Sequence, residues 1–173
     1  MPAKKFMRLV SGILTEIAGV VTSAGASNDG DVPVLDATGR LDPSLMPVGT
    51  AAEIKMAVAS EALAAGDLVS FWSNAGTVNV RKADGSAAGK PAHGFVLAGF
   101  SSSTTAMVYL PSQTNTQKSG LTPGATYWLD VTTAGAITAT APAGAGKVSQ
   151  VVGVALSPTE LSFIPLHPIT LAA

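Results

Sequence analysis

Leu63-Ala64-Ala65-Gly66-Asp67-Leu68-Val69-Ser70-Phe71 and Leu121-Thr122-Pro123-Gly124-Ala125-Thr126-Tyr127-Trp128-Leu129 share one plan. In each, a leucine precedes a short turn with glycine at the same place, and a β-branched and aromatic run follows. Three more pairs of segments follow in the same order. Gly76-Thr77-Val78-Asn79-Val80 lies opposite Ala134-Gly135-Ala136-Ile137-Thr138. Gly94-Phe95-Val96-Leu97-Ala98 lies opposite Gly153-Val154-Ala155-Leu156-Ser157. Ala106-Met107-Val108-Tyr109-Leu110-Pro111 lies opposite Glu160-Leu161-Ser162-Phe163-Ile164-Pro165, at a slightly shorter spacing that fits a loop deletion. Matching order and turn chemistry identify an internal duplication.

Outward from these segments, residues 51–173 alternate short Val, Ile, Thr, Tyr, Phe and Trp runs with Gly, Pro, Asn, Asp and Ser clusters. This pattern predicts strands near 54–59, 68–73, 78–82, 92–98, 106–110, 126–131, 137–141, 150–155 and 161–166. Asn74-Ala75-Gly76 and Thr133-Ala134-Gly135 suit hairpin loops. Glu61–Ala65 is long enough only for a helical turn. The expected fold is mainly β: a small barrel or sandwich of two similar β-meanders, because either meander alone would be marginal.

Three regions are expected: an extended N-terminal arm at 1–27, a Pro/Asp-rich connection at 28–50 and the β-domain at 51–173. In the arm, Leu9, Val10, Ile13, Leu14, Ile17, Val20 and Val21 fall at helical spacing. Gly12, Gly19 and the β-branched residues oppose a helix. Ser11-Gly12 can instead turn a hairpin between 7–10 and 13–17. Such an apolar arm either packs on its own domain or adds a strand or apolar face to a neighbour.

The connection holds Asp29, Asp31, Asp36 and Asp42 with Pro33, Pro43 and Pro47. Prolines so placed exclude a continuous helix and disfavour a central sheet strand. One reading is an exposed linker. A second takes Val32, Val34 and Leu35 as extended and Asp36–Arg40 as a turn, with Asp36 bonding nearby backbone N–H groups and Gly39 at positive φ. Leu41, Leu45 and Met46 then form an apolar anchor. So short a segment cannot bury these side chains alone.

Val34-Leu35-Asp36-Ala37-Thr38-Gly39-Arg40-Leu41-Asp42-Pro43-Ser44-Leu45-Met46-Pro47 resembles a segment of tailed-bacteriophage virion proteins, in particular capsid decoration (cement) and head-fibre proteins. There it joins a short arm to a β-rich domain. The resemblance implies a non-enzymatic structural protein on the outer surface of the capsid, a homotrimer that contacts the major capsid protein and stabilises the head. It places capsid or subunit contacts on Leu9, Val10, Ile13 and Ile17 in the arm and on Leu35, Leu41, Leu45 and Met46 in the motif. The alternative is a tail-fibre or baseplate component that meets a host surface. A glycan-binding module is a third class.

Composition favours an assembled protein. Charged residues make up 12% of the 173, against about 25% in an ordinary soluble domain, so partners covering much of the surface are expected. Net charge is −1, so nothing steers the chain to nucleic acid. There is no cysteine, hence no disulfide or thiolate metal site. The start, Lys4-Lys5-Phe6-Met7-Arg8-Leu9-Val10, is similar to a signal peptide, but Arg8, Gly12 and Glu16 interrupt its apolar run. No run reaches the ~20 apolar residues of a membrane helix.

Reactive constellations are sparse. His93 and His167 each sit beside Pro or Gly, without a second ligand at metal spacing. No Gly-x-Ser-x-Gly elbow occurs. Gly144-Ala145-Gly146-Lys147 lacks the rest of a phosphate loop and reads as a solvent loop. Asn28, Asp29, Asp31 and Asp36 offer oxygen ligands without an EF-hand spacing. In Phe71-Trp72 and Tyr127-Trp128, neighbours on a strand point opposite ways, so one of each pair belongs to the core. No enzyme, cofactor, metal or membrane association is expected.

Overall fold

A computed structural model describes residues 5–37, 39–46 and 53–172. The chain divides into two compact units, residues 1–51 and 52–173. Thr38, Pro47 and the lead-in at 48–50, all part of the connection read above, lie outside the described residues.

The first unit is built on a hairpin of β1 (Lys5–Val10) and β2 (Ile13–Ala18). Ser11 and Gly12, at φ 50° and 82°, form its two-residue turn. Positive φ at both central positions matches the right-handed twist of the flanking strands. The hairpin reading of the arm therefore holds, and helical spacing does not decide it. Val20 then bridges Pro33 in parallel, with Val20 N–H on Val32 O at 3.0 Å and Val34 N–H on Val20 O at 2.9 Å. Short 3₁₀ turns occupy Gly25–Asn28 and Pro43–Leu45.

The second unit is all β among its described residues. Its first half holds β3 (Ile54–Ala59), β4 (Leu68–Asn74), β5 (Thr77–Lys82), β6 (Gly94–Phe95) and β7 (Thr105–Tyr109). Its second holds β8 (Gln113–Asn115), β9 (Thr126–Leu129), β10 (Ile137–Thr138), β11 (Val148–Ser149), β12 (Val151–Ser157), β13 (Glu160–Phe163) and β14 (Ile169–Thr170). All nine predicted strands are present. Glu61–Ala65 forms no helix; Leu63 instead bridges Phe100.

The duplication is visible in strand order. The first half runs β3-β7-β6-β4-β5 and closes into a barrel through a parallel β3–β5 pair. The second runs β8-β13-β12-β9-β10 and stays open. In each half, therefore, the third strand of the repeat returns to the far side of the first instead of following the hairpin. Register repeats too: Val69 pairs Gly94 as Tyr127 pairs Gly153, and Leu68 pairs Phe95 as Thr126 pairs Val154. So do turn bonds. Gly66 N–H donates to Val96 O and Gly124 N–H to Ala155 O, both at 2.8 Å.

Two repeat pairs depart from the sequence alignment by one residue. Val80 pairs Phe71 as Ile137 pairs Leu129, so Val80 answers Ile137 and not Thr138, and the last pair slips as well. Phe95 pairs Tyr109 as its equivalent Val154 pairs Ser162, so Tyr109 answers Ser162, and the buried Val108 answers the buried Leu161, not Ser162. A one-residue slip reverses every side chain of a strand, so burial fixes the correspondence.

Two cores result. The barrel interior holds Ala57, Ala59, Leu63, Val69, Val80, Val96, Ala106 and Val108. Small side chains dominate because five strands enclose little space. Between barrel and open sheet lie Leu68, Phe95, Leu121, Tyr127, Leu129, Val152, Ala155, Leu161 and Phe163. Phe163 meets Phe95 edge to face at 5.5 Å. Gln150, 2% exposed, ties the halves: its amide accepts from Ala92 N–H at 2.8 Å and donates to Ala92 O and Leu166 O at 3.1 Å.

Candidate functional site: the N-terminal hairpin and its connection

Strand alternation and register assign the hairpin two faces. One carries Phe6 opposite Ile17, Arg8 opposite Thr15 and Val10 opposite Ile13. The other carries Lys5 opposite Ala18, Met7 opposite Glu16 and Leu9 opposite Leu14, with a Lys5–Glu16 ion pair across it. The first face meets the following segment. A Cβ on Gly19 would collide with Val34 and Phe6, and Arg8 Nη1 donates to Gly30 O at 3.0 Å. Val34 is the one buried side chain among the described residues of this unit.

The second face is bare. Met7 is 63%, Leu9 66% and Leu14 65% exposed, and Ile13 at the tip is 70% exposed. Of the residues the sequence singled out, Leu9 lies on this face. Val10, Ile13 and Ile17 lie on the other, where half-buried Ile17 packs inward and Val10 and Ile13 project past the covered part. Leu35, Leu41 and Met46 are exposed and Leu45 is half-buried. The sequence pattern did not single out Met7 and Leu14 for contact, although they flank Leu9 on its face; only the hairpin register shows that.

The connection folds as a set of capped turns. Asp36 N–H donates to Arg40 O at 2.8 Å, and Arg40 N–H donates to Asp36 Oδ1 at 3.0 Å. Gly39 sits at φ 79°. Asp42 Oδ1 accepts from the Ser44 amide at 2.9 Å and hydroxyl at 2.6 Å, and these bonds hold its carboxyl below the usual range. Ser44 Oγ in turn accepts Ser23 N–H at 2.8 Å. Asn28 accepts from Ala24 N–H and donates to Asp31 Oδ2. Of the oxygens read as possible calcium ligands, those of Asn28, Asp31 and Asp36 are thus engaged in turns. Among the described residues no three His, Cys, Asp or Glu side chains group as a metal site.

The β-unit offers little chemistry. His93 Nδ1 accepts Phe71 N–H at 3.1 Å, and burial pushes the imidazole below its ordinary value, which marks a structural role. His167 shares with it a hollow of about 390 Å³ rimmed by Pro91, Pro111, Pro165 and Pro168. Gly144–Lys147 is a turn tied to Leu171 by backbone bonds. Phe71 and Tyr127 face the cores, while Trp72 and Trp128 face the other way, as alternation requires. Trp72 donates to Ser60 Oγ at 2.9 Å and lies under Arg81 at 5.3 Å. No helix among the described residues is long and apolar enough to cross a membrane.

The fold and this surface define a mainly β protein, a closed five-strand barrel joined to an open sheet, with an apolar N-terminal hairpin. Comparison with protein-family models finds none that matches, and comparison with curated proteins finds no similar chain.

Proposed function

We propose that the chain is a non-enzymatic structural protein of a tailed-phage virion that decorates the outside of the capsid as an oligomer, with the hairpin and the Val34–Pro47 segment as its docking elements. The observation that carries this reading is the hairpin's bare apolar face. A two-stranded hairpin is marginal in water by itself, and this unit buries one described side chain. The resemblance of its connecting segment to phage decoration proteins supplies the partner, the major capsid protein, and the trimeric state.

The energetics favour several arms acting together. Burying Met7, Leu9, Ile13 and Leu14 from their present exposure contributes roughly 1–2 kcal/mol each. The gross gain of one arm, about 6 kcal/mol, falls short of the ~8 kcal/mol of a micromolar complex even before ordering costs. Three arms on one oligomer multiply the affinity through effective concentration. Bound subunits then bridge capsid proteins and stabilise the assembled shell by mass action.

The alternative, a tail-fibre or baseplate component, draws support from Trp128, which faces away from the core and could meet a host surface. Immunogold electron microscopy of intact virions separates the two. Label over the head is expected; label confined to the tail tip overturns the decoration reading. Deleting residues 1–27 should abolish rebinding to stripped capsids while leaving the β-unit folded.

A further inference from the structure

The connection from β5 to β6 crosses β4. The strand order around the barrel is β5-β4-β6, so residues 83–93 pass the middle strand to reach its far side. Val69 and Val80 belong to the barrel interior. Ser70 and Arg81, one residue further along each strand, therefore point outward, and they stand directly opposite each other in the β4–β5 ladder. The crossing loop meets Arg81 there. Arg81 Nη2 donates to Gly89 O at 2.9 Å, and the guanidinium carbon lies 5.3 Å from the centre of the Trp72 ring. The loop is itself closed by Asp84 N–H on Lys90 O at 2.9 Å and by the Asp84–Lys90 ion pair at 3.4 Å. Two polar atoms at this place have no protein partner: Ser70 Oγ, on a residue 0% exposed, and Arg81 Nε. Among the described residues no other buried side-chain nitrogen or oxygen is left so.

We infer that one water molecule, held under the crossing loop, bridges Ser70 Oγ and Arg81 Nε. A buried polar group without a partner carries its full desolvation cost, and here both such groups fall on one cross-strand pair. The chemistry selects water. Arg81 Nε–H only donates, whereas a hydroxyl both donates and accepts, so the bridging atom must accept at Nε and can bond Ser70 either way. The guanidinium is anchored elsewhere, on Gly89 O and over Trp72, which opposes a direct Ser70–Arg81 bond. An anion would find one edge of a guanidinium and one hydroxyl in place of its hydration shell, and a buried charge so thinly paired is costly. A buried water needs only a few polar partners. Both atoms are closed to solvent, which excludes any larger ligand. Through Arg81 the water ties the β4–β5 ladder to the loop that crosses it. This site is independent of the capsid reading.

A high-resolution crystal structure of the whole chain, with a bromide soak of the same crystals, tests this. One density peak within about 3.2 Å of both atoms is expected, with no anomalous bromide signal on it. In solution, water in a closed site exchanges slowly. Arg81 Nε–H should therefore show a nuclear Overhauser effect to water with the sign of the slowly tumbling protein, whereas exposed Arg40 should show only fast exchange. Ser70→Val, whose methyl groups take the water's place, should lose both the peak and the Arg81 effect while keeping its β circular dichroism. The wild-type peak and the Arg81 effect decide the question even if that variant does not fold. A direct Ser70–Arg81 bond, or a Ser70 hydroxyl turned onto a backbone carbonyl with no peak beside Arg81 Nε, overturns the inference. A bromide signal at the site overturns it as well, by assigning the site to an anion.

Discussion

Gly153→Ala tests whether the duplicated fold depends on close backbone approach. Gly153 has φ 155°, a region disfavoured for L side chains, and a Cβ there would lie 1.9 Å from the Ser162 carbonyl oxygen. The obstacle is backbone, inside the ladder where Gly153 pairs Phe163 and Val154 pairs Ser162, so no rotamer change relieves it. Separating the atoms to contact distance moves one strand by over an ångström. Overpacking costs about 1–3 kcal/mol or more and the φ restriction about 1–2 kcal/mol, together roughly 4 kcal/mol. For a unit of this size that lowers Tm by roughly 15 °C. The control is Gly120→Ala, at φ 67° with nothing within 4 Å, which carries the φ cost alone, about 1–2 kcal/mol. Urea unfolding followed by tryptophan fluorescence reads both variants, since Trp72 and Trp128 lie in this unit. Gly94→Ala, the repeat equivalent, has ordinary φ but meets Tyr109 O at 2.6 Å, and should fall between them. If Gly153→Ala costs no more than Gly120→Ala, steric closure at the repeat's glycine is not what holds β12 to β13.

Three further outcomes are expected. Gln150→Leu leaves the buried Ala92 N–H and C=O without their partner, and the part-buried Leu166 C=O as well, and should cost about 3 kcal/mol by chemical denaturation, against under 1 kcal/mol for a surface change such as Thr114→Ala. His93 is depressed from 6.5 by burial, so the unfolded chain binds the proton more readily. Its contribution is full above 6.5 and is lost as pH falls through the folded value; His93→Gln should flatten the stability curve on the acid side of 6.5. Lys118 is pushed down to about 8 by burial, with Asp67 opposing. The penalty on its charged form is full below the folded value and relieved as pH rises toward 10.5. Lys118→Met should therefore stabilise by about 2 kcal/mol at neutral pH, a gain that fades in alkaline titrations.

The sequence by itself determined the β class, nine strands and the duplication, because period-2 apolar runs and glycine-bearing turns are local features. The Asp36–Arg40 turn was equally legible, since its side-chain and backbone partners lie within five residues. β8 was not: Gln-Thr-Asn has no apolar alternation, and it is a strand only because β13 pairs with it and Asn115 reaches Gly66 O at 3.0 Å. The slip at the last repeat was also invisible, because residues one apart differ only in which face they present, and burial decides that. In the arm, Ser11-Gly12 announced the hairpin, but which apolar residues stand bare depended on Val34 covering one face. Tertiary structure alone decided that one repeat closes while the other stays open. Six-residue β3 and β5 can pair to shut a barrel. In the second half β8 and β10 do not pair, and Val154, the equivalent of the fully buried Phe95, is left 40% exposed.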